Sequence, residues 1–108
     1  MDIVRQHIKE QVAALPHSPG VYQFVDRNGV IIYVGKAKDL RKRVSSYFVE
    51  NRDHSAKVIV LVKQIVDIRH IVVDSEQDAL LLENSLIKSL QPRYNILLKD
   101  DKTYPWIV

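Results

Sequence analysis

Two tyrosine-bearing tripeptides, Gly20-Val21-Tyr22 and Tyr33-Val34-Gly35, lie at the two ends of one hairpin-like stretch. A basic run follows at once. Between Lys36 and Arg43 stand Lys36, Lys38, Arg41, Lys42 and Arg43, five cations against the single acid Asp39. Paired strands would bring Tyr22 and Tyr33 close together, and packing is the ordinary meaning of such an aromatic pair. A phenol near cations has its ionised form favoured, however, so either could take a proton from water. Gly35 leaves the backbone bare just beyond Tyr33. Phenols beside clustered positive charge suit the handling of a phosphodiester.

A carboxylate from a separate part of the chain adds to this. At about 100° per residue along a helix, Ala79, Leu80, Leu82, Leu86, Ile87 and Leu90 form one apolar arc, and Glu83 falls near its middle. An inward carboxylate is costly unless it is paired or metal-bound. One reading is a Glu held by a structural Lys or Arg. The other is a ligand for magnesium or manganese, which accept hard oxygens and keep several waters.

Arg43 and Tyr47 are four residues apart, hence neighbours on a short helix whose buried stripe is Leu40, Val44 and Phe48. Arg43, at the rim of that stripe, suits a phosphate clamp, because a guanidinium fork matches two phosphate oxygens. Lys42 lies opposite and reads as a solvated cation. Asn95, in Pro92-Arg93-Tyr94-Asn95, either stiffens a turn or reaches a phosphate. His7, His17, His54 and His70 show no metal spacing and read as surface or packing residues. No other acid joins Glu83 in an inward cluster, so one metal fits better than two.

The elements that must position these groups follow from periodicity. Val4, Ile8, Val12 and Leu15 predict a helix over residues 1–16, closed by Pro16. Residues 20–25 and 30–34 read as strands around the Asp26-Arg27-Asn28-Gly29 turn. Asp39 caps a helix to Phe48, and residues 50–55 form a polar loop. The apolar pattern of residues 56–66 favours a helix, residues 68–73 a third strand. Ser75 and Asp78 resemble a capping box opening a helix to Leu90, which Pro92 ends. Residues 93–102 read as a polar loop and residues 104–108 as a final strand.

Composition narrows the function classes. The 108 residues form one domain, 46% apolar and 27% charged. There is no cysteine, which removes disulfides, a thiol nucleophile and a thiolate zinc site, and is compatible with a cytoplasmic location. The longest apolar runs, Val30–Val34 and Val58–Val62, are far too short to cross a bilayer. Net charge is +3. The apolar end, Tyr104-Pro105-Trp106-Ile107-Val108, suggests a domain from a longer protein.

The residues resemble a known family. The paired tripeptides are similar to the signature of GIY-YIG nucleases, with valines in place of its isoleucines. Three longer runs are more specific: residues 33–48 (YVGKAKDLRKRVSSYF), 79–88 (ALLLENSLIK) and 91–105 (QPRYNILLKDDKTYP). They resemble the N-terminal nuclease domain of the UvrC family of bacterial nucleotide excision repair. The resemblance implies a small α/β (α+β) domain with a central three-stranded antiparallel sheet flanked by helices, with residues 20–108 as the nuclease core. It also implies a divalent-metal-dependent endodeoxyribonuclease that cuts on the 3′ side of a lesion.

By motif, Tyr33 would be the general base or its activator, with Tyr22 beside it. Lys36 would position water or tune the phenol. Arg43 and Tyr47 would act on the phosphate, Glu83 would hold one Mg²⁺ or Mn²⁺, and Asn95 would complete the pocket. Lys36, Lys38, Arg41, Lys42 and Arg43 are the expected contacts to damaged double-stranded DNA. UvrB would be the partner of the full-length protein. Two alternatives stand beside this reading. One is a standalone relative of the Cho or small YIG type. The other is a catalytically silent DNA-binding module whose basic run only contacts phosphates.

Overall fold

The turn of the hairpin shows most directly how local chemistry sets the architecture. Asp26 Oδ1 accepts hydrogen bonds from the Asn28 and Val30 amides at 2.9 and 3.0 Å, and its carbonyl accepts from Gly29 N at 2.9 Å. Gly29 sits at φ 78°, a left-handed conformation that favours glycine. The turn joins strands β1 (Gly20–Val25) and β2 (Ile31–Ala37), which pair antiparallel with Tyr22 opposite Gly35 and Phe24 opposite Tyr33. Strand β2 thus starts one residue later than the pattern predicts and runs on through Lys36.

The computed structural model describes residues 2–49 and 55–101. Around the hairpin lie α1 (Asp2–Ala14), α2 (Leu40–Phe48), α3 (Ala56–Gln64), β3 (Asp67–Val72), α4 (Glu76–Leu90) and α5 (Arg93–Asp101). Strand β3 pairs antiparallel with β1, giving the sheet order β2-β1-β3. The expected three-stranded antiparallel sheet flanked by helices is therefore present. The strand that carries Tyr33, Gly35 and Lys36 is an edge strand.

Alternation, interrupted by a register shift at Phe24/Val25 that leaves Ile32 unpaired, divides the hydrophobic residues between the two faces of the sheet. Tyr22, Phe24 and Ile32 meet Ile8, Leu15, Leu40, Val44, Leu61, Tyr94 and Leu98 in the larger core. Val21, Val34 and Ala79 form a smaller one, with Leu82, Leu86 and Ile87 packed against it. Helix α4 covers that second face. Its arc is narrower than periodicity suggests: Leu80 and Leu90 are each 42% exposed, while Ala79 is buried. Glu83 is half-buried on the covered side.

Helix starts at α2 and α4 use the expected caps, and Ser55 adds one at α3. Asp39, Ser55 and Ser75 accept from the amides of Lys42, Val58 and Asp78 respectively. Asp67 anchors the start of β3 to α1: its Oδ1 accepts from Gln11 Nε2 at 2.6 Å and lies 3.3 Å from His7 Nε2.

One expectation is corrected. Residues 93–101 are helix α5, not a loop. Gln91 takes the left-handed cap that stops α4, at φ 49°, and the carbonyl of Pro92 then accepts from Asn95 N and Ile96 N. Proline's fixed φ suits a helix start as well as a helix stop. Tyr94, Leu97 and Leu98 supply the inward stripe, and α5 packs on α3 and β2. Residues 50–54 of the expected loop over 50–55, and the expected final strand at 104–108, lie outside the described residues.

Candidate active site

The phenols form a cluster built by three elements. Tyr22 on β1, Tyr33 on β2 and Tyr47 on α2 surround Phe24, with ring centroids 5.1 to 6.4 Å apart across the group. The hydroxyls of Tyr22 and Tyr47 share a hydrogen bond of 2.8 Å. Tyr22 is only 1% exposed and its ring lies over Gly35, where any Cβ would run into the Tyr22 hydroxyl. The two glycine–tyrosine tripeptides are thus one steric unit. Gly20 is equally tight, because a Cβ there would strike the Ile71 carbonyl and Leu40.

Arg43 stands one turn before Tyr47, its guanidinium carbon 5.7 Å from the Tyr47 ring centroid. The phenols around it, Tyr22 first, push its pKa up further, so it is a permanent cation. It also lines a cavity shared with Lys36, Lys38, Lys42 and Glu76. Arg43 is therefore the group that touches both the phenol cluster and the basic cavity.

The protonation of the phenols differs from the sequence expectation. Burial pushes Tyr33 well above the ordinary phenol range, Tyr47 adds to the effect, and Arg43 opposes it without prevailing. The Glu83 charge raises it slightly further. Tyr22 is raised for the same leading reason, its burial. Neighbouring cations do not make a standing phenolate here, because desolvation outweighs them.

Lys36 departs from its expected place. Three residues beyond Tyr33, it leaves the strand on the opposite face, opposite Val21 in the register, and lines the cavity with Arg43 rather than resting on the phenol. Arg41 is turned away: its Nε donates to the Leu15 carbonyl at 2.7 Å, which fastens α2 to the end of the α1 segment. Arg41 is thereby a structural tie between the two segments. Lys42 and Lys38 are exposed, as a phosphate contact requires.

Asn95 bonds across from α5 to the backbone of β2. Its Oδ1 accepts from Val34 N at 2.8 Å and its Nδ2 donates to Val34 O at 2.9 Å. Both backbone polar groups of one residue on the open edge of β2 are satisfied by a single side chain from α5. Asn95 holds the strand between Tyr33 and Gly35 in place.

Sequence reasoning missed three contributors. His17 Nδ1 lies 2.8 and 2.9 Å from the two Asp39 oxygens and so braces the cap of α2. Phe24 forms the centre of the phenol cluster. Glu76 enters the cavity wall, and its only signal was its position two turns before Glu83 on the same helix face.

Among the described residues there is no group of three or more acidic or histidine side chains that could hold a metal. A single half-buried carboxylate, Glu83, fits an ion that keeps most of its waters and takes the rest of its ligands from a phosphate.

The decisive comparison is with family profiles: that of the UvrC-like GIY-YIG domain matches residues 18–96. The chain belongs to this family. GIY-YIG relatives include UvrABC system protein C of Flavobacterium psychrophilum, 69% identical over 97 residues, covering 90% of this chain and 16% of that protein. The same protein of Bacteroides thetaiotaomicron is 60% identical over 103 residues, covering 94% of this chain and 17% of the relative. The chain thus spans about a sixth of the length of these curated relatives.

Among solved structures, the GIY-YIG N-terminal endonuclease domain of UvrC from Thermotoga maritima, bound to magnesium as its catalytic divalent cation, superposes with a TM-score of 0.71. It is 38% identical and covers 81% of this chain and 93% of its own. Forms of that Thermotoga GIY-YIG domain with one tyrosine changed to phenylalanine, or one asparagine changed to alanine, are also bound to its catalytic divalent cation.

Proposed function

We propose that this domain is a divalent-metal-dependent endonuclease that hydrolyses one phosphodiester of a damaged DNA strand, on the 3′ side of the lesion, in bacterial nucleotide excision repair. The observation that supports it most is the position of Arg43, which stands over the Tyr47 ring of the phenol cluster and also lines the basic cavity beside it. An anion-binding guanidinium, a metal-binding carboxylate and a phenol are the parts a phosphoryl transfer needs. The Thermotoga relative with its catalytic magnesium supports the same reading.

Each side chain has a role that follows from its surroundings. A bound magnesium ion at Glu83 would supply Lewis-acid charge to the phosphate and to the leaving 3′ oxygen. Tyr33, neutral in the resting site, would orient the attacking water through its hydroxyl and receive the proton as the reaction proceeds. Arg43 would stabilise the charge that develops on the phosphate. Tyr47 and Tyr22, joined by their hydroxyls, would hold the Arg43 and Tyr33 side chains in register. Lys36 would meet the same strand from the cavity side, and Asn95 would act on Tyr33 through the strand. One metal ion is enough for this donor set, and manganese would serve in place of magnesium.

The rest of the assignment extends to the whole protein. The domain would be the N-terminal part of a longer chain that works with UvrB on double-stranded DNA in the cytoplasm. No helix among the described residues is long and apolar enough to cross a membrane. The test is 3′ incision of a lesion-bearing duplex by the full-length protein in the reconstituted repair reaction. Glu83→Gln and Arg43→Ala should each abolish the cut while leaving the fold intact. Near-normal incision by either variant would overturn the site.

A further inference from the structure

Beside the phenol cluster opens a cavity of about 460 Å³. Its walls are the end of β2, the first turn of α2 and the first turn of α4, and its charged lining is Lys36, Lys38, Asp39, Lys42, Arg43 and Glu76. Four cations thus face two carboxylates. Asp39 is already committed, since His17 engages both its oxygens and the Lys42 amide donates to one of them. Glu76 forms no ion pair with any of the described cations. The wall is left with an excess of positive charge and one carboxylate free to act on whatever enters.

The space exceeds what a single phosphate group occupies, and Arg43 borders both it and the phenols. If Arg43 holds the phosphate that is cut, the next phosphate of the same strand falls on the far side of Arg43. There Lys38, on the loop after β2, and Lys42, one turn into α2, can share it.

We propose that this cavity seats the backbone phosphate adjoining the cleaved one, on Lys38 and Lys42 together, and that Glu76 opposes the seated phosphate and limits its affinity. The seat rests on the DNA-cleaving reading given above and adds to it a register for the strand. A phosphate held one step from Arg43 fixes which bond reaches Glu83. The opposing carboxylate keeps undamaged DNA weakly held, so that placement depends on partners.

The test measures binding of the Met1–Val108 chain to a short DNA duplex, without divalent metal, as a function of salt. Each phosphate neutralised contributes about 0.9 to the slope of log affinity against log salt. The Lys38→Gln/Lys42→Gln double variant should therefore lower the slope by about one, because two lysines share one phosphate. An unchanged slope would remove the seat, and a fall of about two would show two separate contacts instead of one shared site. Glu76→Gln should tighten binding roughly two- to fivefold at low salt, the size of one unscreened repulsion across such a cavity. Unchanged or weaker binding would overturn its role. Failure of the unsubstituted chain to bind DNA even at low salt would instead count against the DNA-cleaving reading, and the seat would fall with it.

Discussion

The hydroxyls of Tyr22 and Tyr47, 2.8 Å apart, tie the central strand of the sheet to the helix that carries Arg43. Both lie in a cluster whose centre is apolar, so the hydrogen bond they share is shielded from water. Removing either should cost about 1 kcal/mol, and removing both should cost little more than removing one. Urea unfolding of Tyr22→Phe, Tyr47→Phe and the double variant reads this directly. Fully additive losses would show that the two hydroxyls are not partners in solution.

Arg43 is a fork between phenols and cavity, and its shape matters as much as its charge. Arg43→Lys keeps the charge but loses the two-point grip on phosphate. We expect incision to fall about 10²-fold or more in Arg43→Ala, with Lys restoring only a small part. Single-turnover cleavage under saturating DNA separates this from weaker binding. Full recovery by lysine would mean that Arg43 acts as a point charge alone.

Glu83→Gln keeps the volume and removes the charge. It should abolish magnesium binding measured by calorimetry, and it should also lower the Tyr33 pKa, because the carboxylate's charge contributes to raising it. Unaltered metal affinity in that variant would place the ligand elsewhere.

Asn95 satisfies the backbone N–H and C=O of Val34 through two hydrogen bonds, so Asn95→Ala strands a donor and an acceptor at the sheet edge. The loss should be about 2 kcal/mol in stability. Amide exchange at Val34 should quicken more than at the paired residues of β1 and β3. A global loss with no local change at Val34 would contradict the positioning role.

Alkaline stability follows from the phenols. Tyr22 and Tyr33 are raised by burial, so the folded state holds those protons more tightly than the unfolded chain does. Their contribution is fully present below the unfolded pKa of about 10, and it is lost as pH rises through the folded values. The melting temperature should therefore decline above about pH 10, with phenolate absorbance from these two rings appearing only as the chain unfolds. Titration of all five tyrosines together in the folded state would refute it.

Much of this was legible from residues alone, because the relevant signals are local. The Asp26–Gly29 turn and the Asp39 and Ser75 caps each arise within one element, and each is found where turn or capping chemistry puts it. The presence of Glu83 on the covered side of α4 follows from the 3.6-residue repeat. What was hidden is tertiary. Nothing near Asn95 announces Val34, sixty-one residues earlier. Nothing near Arg41 announces the Leu15 carbonyl that claims it. The ionisation of Tyr33 was misjudged because adjacent cations are visible in a sequence and desolvation is not. Pro92 was read as an end when its carbonyl also opens α5.

Because the Tyr22 ring occupies the space that any side chain at position 35 would need, the hairpin checks its own alignment. Sliding β2 by one residue against β1 would bring Val34 or Lys36 beneath that ring, where neither fits. A misaligned hairpin would fail to close around the aromatic cluster, and Tyr33 would never be presented to Arg43. Assembly of the reactive groups is thereby made conditional on correct strand alignment, so a misfolded copy is also an inactive one.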